Sequence, residues 1–453
     1  MTNKLWKECI AVAWPLVLAM TGNALMMFAD RLFLSRYSAV SIQAALPAGM
    51  ISFIFMAFMQ SVVAYSGTFV AQYSGAGARA ACARVLGQGL WLSLLSLPLV
   101  LLTLPLGNLL FDLAGHAPEV VEAEKAYFAA LTVGNLSLPF AAALSGFFSG
   151  RGFTRLVMVS NLIGNALNIA LDPLMIWGLG ILPGLGIVGA GIATAVAQFS
   201  VVGILLAAAL RERHFATGFR MRVAFVWKSS LILRIIRFGV PSGGHVLLDA
   251  GTFGLFVFIT GRMDALSFAT SNIALSVNNL VFAPLLGLGI AASVMTGRYM
   301  GNRAPEKAAA CGRICVLMGW AFVLLCVAVI GGFHEQILHA FYSPDAAYGY
   351  ADYLRTGRTL IFIFLGWAFL DTLNLTLGGA LKGAGDTRFV LAWIVGTSCC
   401  FWMPLLFVVY LRGYGIIALW LTMLAYVVLA GIGLSVRFLR GRWKHIRLIE
   451  PRR

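Results

Sequence analysis

The sequence is short of charge. Only 11% of its 453 residues are Asp, Glu, Lys or Arg, against roughly 25% in soluble proteins. That scarcity excludes an ordinary water-soluble domain. Acid is scarcer than base, 17 residues against 33. Cysteine is also sparse, at 9, 82, 311, 315, 326, 399 and 400. Cys311 and Cys315 have no partnering cluster with zinc spacing, and most of the others lie in or beside apolar runs. They are expected to be small buried hydrophobes, not a disulfide framework. The six histidines are scattered, so no metal or catalytic constellation forms around them and an enzyme is not expected. No P-loop occurs, which excludes ATP hydrolysis by this chain. The pieces "SGAGAR" and "GAGIAT" are glycine-rich, but tight packing and turns explain them. No cofactor is expected. No cleavable leader is expected either, since "MTNKLWKECIAVAWPL" runs into a full-length span without an A-x-A site.

What the sequence has is apolar length. It is 60% hydrophobic, in recurring runs of about 20 residues, enough for a helix to cross a bilayer. Lipid leaves only helices or closed barrels as spanning structures, and these runs are too long and too apolar for barrel strands. The chain is therefore expected to be an all-α polytopic membrane protein. Twelve spans are read at about 11–34, 46–71, 86–112, 126–148, 156–178, 186–210, 238–260, 270–297, 312–333, 357–380, 389–411 and 415–436. Between them, 26 of the 33 basic residues fall on the side of the N-terminus and 7 on the other. The positive-inside rule then places both termini in the cytoplasm. The net charge of +16 reflects topology and attraction to lipid headgroups, not nucleic-acid binding.

The chain repeats itself. "PLVLAMTGNALMMFAD" begins at Pro15 and "PSGGHVLLDAGTFGLF" at Pro241, an offset of 226. The same offset carries Tyr73 and Gly75 onto Tyr299 and Gly301. "GFFSGRGFTR" (Gly146 to Arg155) matches "GALKGAGDTR" (Gly379 to Arg388) at offset 233, and "LGIVG" matches "YGIIA" at 229. Four signals in one order indicate duplication. Six spans per repeat, an even number, imply two lobes related by a pseudo-twofold axis along the membrane normal. The expected organisation is an N-terminal lobe at 1–210, a cytoplasmic linker at 211–237 and a C-terminal lobe at 238–453 with a basic tail. Two such bundles facing each other can open a midplane cavity to either side by rocking, which is the architecture of a secondary transporter.

Polar groups inside the spans carry the chemistry. Asn161, Asn165, Asn168 and Asp172 are spaced 4, 3 and 4 apart, on one face of a helix. Asn168 and Asp172 are an i, i+4 pair of hard oxygen donors suited to Na⁺. Pro173 is expected to break the helix there and loosen carbonyls as further ligands. Asn161 and Asn165 are expected to join helices. Three other acids sit within or at the ends of spans: Asp30, Asp249 and Asp371. Intramembrane carboxylates act on ions or protons by default. Asn374 lies nearly one turn after Asp371. Asn278 and Asn279 contact Asp249 or pack helices together. His245, one turn before Asp249, shares a proton with it or makes a structural hydrogen bond. Met20, Met26, Met27, Met56 and Met59 line an adaptable cavity or pack ordinarily.

The paired turns "AQYSGAG"/"GRYMGNR", the pair "GFFSGRGFTR"/"GALKGAGDTR", and "NIALDP" followed by "GAGIATAVAQ" resemble the MATE family, the multidrug and toxic compound extrusion transporters. The similarity covers nearly the whole chain. It implies a V-shaped pair of six-helix lobes and export of organic, often cationic compounds against inward Na⁺ or H⁺. Matched by motif, Asp30, Asn168, Asp172 and Thr194 take the positions of the family's N-terminal cation site. Asp249 stands where the NorM-type branch has a glutamate, and Asp371 matches an acidic position of the same branch. Extra residues around "ILPG" (Ile181 to Gly184) separate Asp172 from Thr194. The expected protein is a monomeric, multi-pass antiporter of the inner membrane, surrounded by membrane lipids. Its expected cargo is cationic and amphiphilic, because carboxylates are present inside the membrane and cations are nearly absent. The alternative is a flippase for lipid-linked precursors, which would place several basic residues in the cavity.

Overall fold

The structure, a computed structural model, describes residues 2–179, 182–211, 225–342 and 348–449. Among the described residues, twelve helices are long and apolar enough to cross a membrane. They are α1 (Asn3–Tyr37), α2 (Ala39–Gly75), α3 (Arg79–Leu113), α4 (Pro118–Gly150), α5 (Thr154–Ile176), α6 (Gly186–Arg211), α7 (Ser229–Thr260), α8 (Ala265–Gly301), α9 (Pro305–Gly332), α10 (Tyr350–Ala384), α11 (Thr387–Leu411) and α12 (Gly415–Arg440). Each expected span has its helix. A short antiparallel pair, β1 (Gly178–Leu179) and β2 (Leu182–Pro183), joins α5 to α6. It occupies the place of the extra "ILPG" residues, of which Ile181 lies outside the described residues.

Most helices overrun the expected spans. Hydropathy reports only the part lipid must cover, whereas a helix continues until a cap or turn stops it. Thus α7 begins at Ser229, so residues 229–237 of the expected linker are helical, with Ile232 and Ile235 buried. Residues 212–224 of that linker lie outside the described residues. At the far end of α10, Gly385 adopts the left-handed conformation, φ 103°, and ends the helix. Lys382, counted with a cytoplasmic loop in the sequence, is therefore in the last turn of α10. At the start of α8, Asp264 accepts the Ser267 N–H at 3.0 Å and the Ser267 hydroxyl at 2.6 Å. Those bonds hold its carboxyl below the usual range.

The expected break at Pro173 is absent. α5 runs through Pro173 to Ile176. Pro173 removes one hydrogen bond about one turn from the helix end, where its own carbonyl still accepts the Trp177 N–H at 3.1 Å. A proline so near the end leaves too little helix behind it to kink.

The described chain packs as two compact units. One holds residues 18–246, 297–303 and 448–449, the other 2–17, 247–296 and 304–447. The first helix of each repeat, α1 or α7, therefore changes unit partway along. Phe69, Phe147, Leu86 and Ile235 centre one core of the first unit. Phe256, Trp402 and Trp420 are fully buried in the second.

The repeat is visible in the packing. A Cβ on Gly150 would lie 2.7 Å from the Gly67 carbonyl oxygen, and one on Gly383 would strike that of Ser293. Gly67 and Ser293 are related by the 226 offset. The first unit also contains a reciprocal contact. A Cβ on Gly75 would strike the Arg298 carbonyl, and one on Gly301 would strike the Gln72 carbonyl. Gln72 and Arg298 are again 226 apart. Residue i meeting j′ while i′ meets j is the mark of a local twofold relation between the two turns.

Candidate functional site

α5 delivers the asparagine ladder, and packing divides it by role. Asn161 donates to the Val157 carbonyl of its own helix at 2.8 Å. Asn165 donates to Asn23 Oδ1 of α1 at 2.9 Å, which joins two helices. Asn168 and Asp172 are fully buried, with Asp30 of α1 and Thr194 of α6 buried beside them. Four residues from three helices thus meet.

The geometry of this cluster is one of sharing. Asn168 Nδ2 lies 3.4 Å from Asp172 Oδ1 and 3.3 Å from Thr194 Oγ1. Turning the amide over satisfies both its ends. Nδ2 then donates to Asp30 Oδ1 at 2.8 Å and Oδ1 accepts the Thr194 N–H at 3.2 Å. The Thr194 hydroxyl donates to the Ala190 carbonyl at 3.0 Å. The Asp30 and Asp172 carboxyls are within hydrogen-bonding reach of each other. Asp172 Oδ2 is buried with no hydrogen-bond partner among the described residues. Two carboxylates so close and so deeply buried cannot both stand uncompensated; a proton between them or a cation among their oxygens offsets one of the two charges and relieves their repulsion. The oxygens of Asp30, Asp172, Asn168 and Thr194 form a donor set that fits a hard cation. Tyr127 of α4, also buried, lies within electrostatic reach of both acids. Sequence reasoning missed it, since one tyrosine in an apolar run makes no pattern.

The second unit holds the other acids. Tyr426 of α12 donates its hydroxyl to Asp249 Oδ1 at 3.2 Å. Asn374 donates to Asp371 Oδ1 at 3.2 Å and to the Val427 carbonyl at 3.2 Å. Asp249 is within electrostatic reach of both Asp371 and Lys382. One turn beyond Asp249, Thr252 and Ser398 share a hydrogen bond of 2.6 Å. Tyr426 and Lys382 were not anticipated. Lys382 was legible, because Asp371, Asn374, Gly378 and Lys382 are spaced 3, 4 and 4 apart on one helical face. This corrects the expectation that cations are nearly absent among the intramembrane acids. Of the remaining candidates, Asn278 is buried and Asn279 exposed, and the hydroxyl that reaches Asp249 is that of Tyr426. His245, one turn before Asp249 on the same helix α7, is buried. The methionines share no common environment, Met56 being buried and Met27 exposed.

The family model described as MatE matches residues 15–174 and 241–408, one copy in each repeat. The probable multidrug resistance protein NorM of Bradyrhizobium diazoefficiens is 29% identical over 91% of this chain and 89% of its own. The multidrug resistance protein PmpM of Pseudomonas aeruginosa is 28% identical over 84% of this chain and 79% of its own. Among solved structures, the eukaryotic MATE transporter AtDTX14 superposes with a TM-score of 0.84 at 16% identity, covering 98% of this chain and 97% of that one. An outward-facing multidrug resistance MATE transporter of the MOP superfamily gives 0.84 at 21% identity, covering 97% and 95%.

Proposed function

This chain belongs to the MatE family, and from that premise we infer that it is a secondary active multidrug efflux antiporter. It is a multi-pass membrane transporter and not an enzyme. The observation that carries the finer reading is a pair of aspartates in each compact unit, set among apolar helices. Coupling needs a group whose two occupancies favour two conformations. The Asp30–Asp172 cluster is such a group.

We propose H⁺ as the coupling ion. With Asn168 Nδ2 on Asp30, the amide supplies a donor, and a proton shared by the two acids removes one of their two charges and with it their mutual repulsion. The second reading is Na⁺. It is favoured by the oxygen set of Asp30, Asp172, Asn168 and Thr194, and requires Asn168 to turn its oxygen inward. The proposed cargo is an organic cation held near Asp249 and Asp371, with Asn374 beside it. A flippase reading is weaker, since Lys382 has Asp249 within reach and is not left free for a pyrophosphate. The proposed organisation keeps the lobes at 1–210 and 238–453 around the 211–237 linker, a monomer in the inner membrane, and both termini in the cytoplasm.

Dye efflux from proteoliposomes, with Na⁺ and pH gradients imposed separately, tests the coupling. Transport driven by ΔpH alone is expected; transport only with a Na⁺ gradient reverses the choice of ion. Orientation has its own test. Cysteines introduced at positions 2 and 118, in a cysteine-free background, should be labelled from opposite sides. An impermeant reagent that labels position 2 in intact cells refutes the orientation.

A further inference from the structure

The chain enters α7 through Phe225–Lys228, a non-helical stretch. Its backbone is held by side chains of α3. Gln88, fully buried, commits both ends of its amide to it. Nε2 donates to the Val226 carbonyl at 3.0 Å, and Oε1 accepts the Lys228 N–H at 2.9 Å. Trp91 Nε1 donates to the Phe225 carbonyl at 2.9 Å. Non-helical backbone can lie against lipid only where protein satisfies its polar groups. These three bonds satisfy the carbonyls of 225 and 226 and the N–H of 228.

The side chains point the other way. Phe225, Val226 and Trp227 are 46%, 60% and 49% exposed, three large apolar groups in succession. The Trp227 ring meets Trp91 at a steep angle, with centroids 5.8 Å apart and planes at 74°. Along the sequence the charge here is nearly all of one sign. Residues 211–237 contain seven Lys and Arg and a single acid, Glu212. Lys228 and Arg237 are exposed.

We propose that Phe225–Lys228 is an interfacial anchor for anionic phospholipid. Phe225, Val226 and Trp227 enter the boundary between headgroups and acyl chains, and Lys228 with Arg237 meets the phosphates. Tryptophan is enriched at that depth, and basic residues beside it attract anionic headgroups. A backbone pinned by three side-chain bonds, half-exposed apolar side chains and a positive margin together match a lipid surface better than a protein groove. The inference rests on a membrane-embedded chain but not on which face the linker occupies, so symmetric bilayers separate it from the orientation proposed above.

The test is a nitroxide at Val226→Cys in the full chain, with Cys326, Cys399 and Cys400, the thiols that are not buried, replaced by serine. The protein is reconstituted in phosphatidylcholine alone or mixed with phosphatidylglycerol. Relaxation by oxygen is expected to exceed relaxation by a water-soluble nickel chelate severalfold. The label should move deeper when phosphatidylglycerol is present, and K228Q/R237Q should abolish that shift. Strong relaxation by the nickel chelate in both bilayers would overturn the proposal. Equal depth in both bilayers would remove the anionic lipid, and relaxation by neither agent would mean that protein covers the segment.

Discussion

Asp30 and Asp172 lie within hydrogen-bonding reach of each other and share Asn168 as a neighbour. Asp249 and Asp371 are each served by a separate donor, Tyr426 and Asn374. The first pair is fully packed. The second is half-buried and has Lys382 within reach. A closed pair whose charges must be balanced together suits a single small occupant, a proton or an ion. An open pair with an internal cation suits exchange, because an incoming positive group competes with Lys382 for Asp249. The repeat does not relate the two pairs, since the offset of 226 carries Asp249 onto Asn23 and Asp30 onto Phe256; each half has its own acids and its own neighbours for them.

The largest effect should come from the closed pair. Asp172→Asn removes its charge while keeping its shape, and coupled efflux in proteoliposomes is expected to fall about a hundredfold, or ~2.7 kcal/mol. The variant should elute and bind dye as wild type does. Wild-type transport by this variant under the same gradient would make the ladder structural only and erase the comparison.

Asp371→Asn comes next. Affinity for a monovalent cationic dye should drop about tenfold, or ~1.4 kcal/mol, with a neutral analogue of similar size affected less. Equal losses for both dyes would assign Asp371 to coupling instead of cargo. Lys382→Met is a smaller change in the opposite direction. With the competitor gone, the cationic dye should bind about threefold tighter, ~0.7 kcal/mol, and the gain should vanish in the Asp249→Asn background. Weaker binding by Lys382→Met would show that the lysine orders the site and does not compete in it.

The smallest effect belongs to an acid outside both sites. Asp264 caps α8 from an exposed position. Its folded-state pKa is depressed, so its contribution is present above the unfolded value, about 3.9, and is lost as pH falls through the folded value. Asp264→Ala should cost about 1 kcal/mol or less at neutral pH. Thermal unfolding of variant and wild type should converge in acid, with dye transport at pH 7 unchanged. A transport defect there would mean that the two acid pairs are not the only places where an acid matters.

Helix number and the repeat were legible because lipid imposes one structural solution on every apolar run, and duplication leaves its offset in the chain. The ladder was legible for the same reason: a polar group in an apolar helix stands out, and 3.6-residue spacing gives its face. What spacing does not carry is the partner across the packing. Asn165 reads like Asn168 until Asn23 and Asp30 are seen opposite them. Tyr426 stands 177 residues from the acid it serves. Pro173 misled because its effect depends on how much helix follows it. Lys382 misled because a basic residue near a span end reads as loop, although its own periodicity with Asp371 said otherwise.

The contact of Gly75 with the Arg298 carbonyl and of Gly301 with the Gln72 carbonyl also bears on history. Each turn is the other's neighbour, so a side chain gained at either position strikes the backbone of the opposite repeat. Two separate copies of one ancestral repeat could have made this contact twice over, before any linker joined them. Elsewhere each half answers to its own neighbours, but at this joint a change in one repeat is felt first by the other.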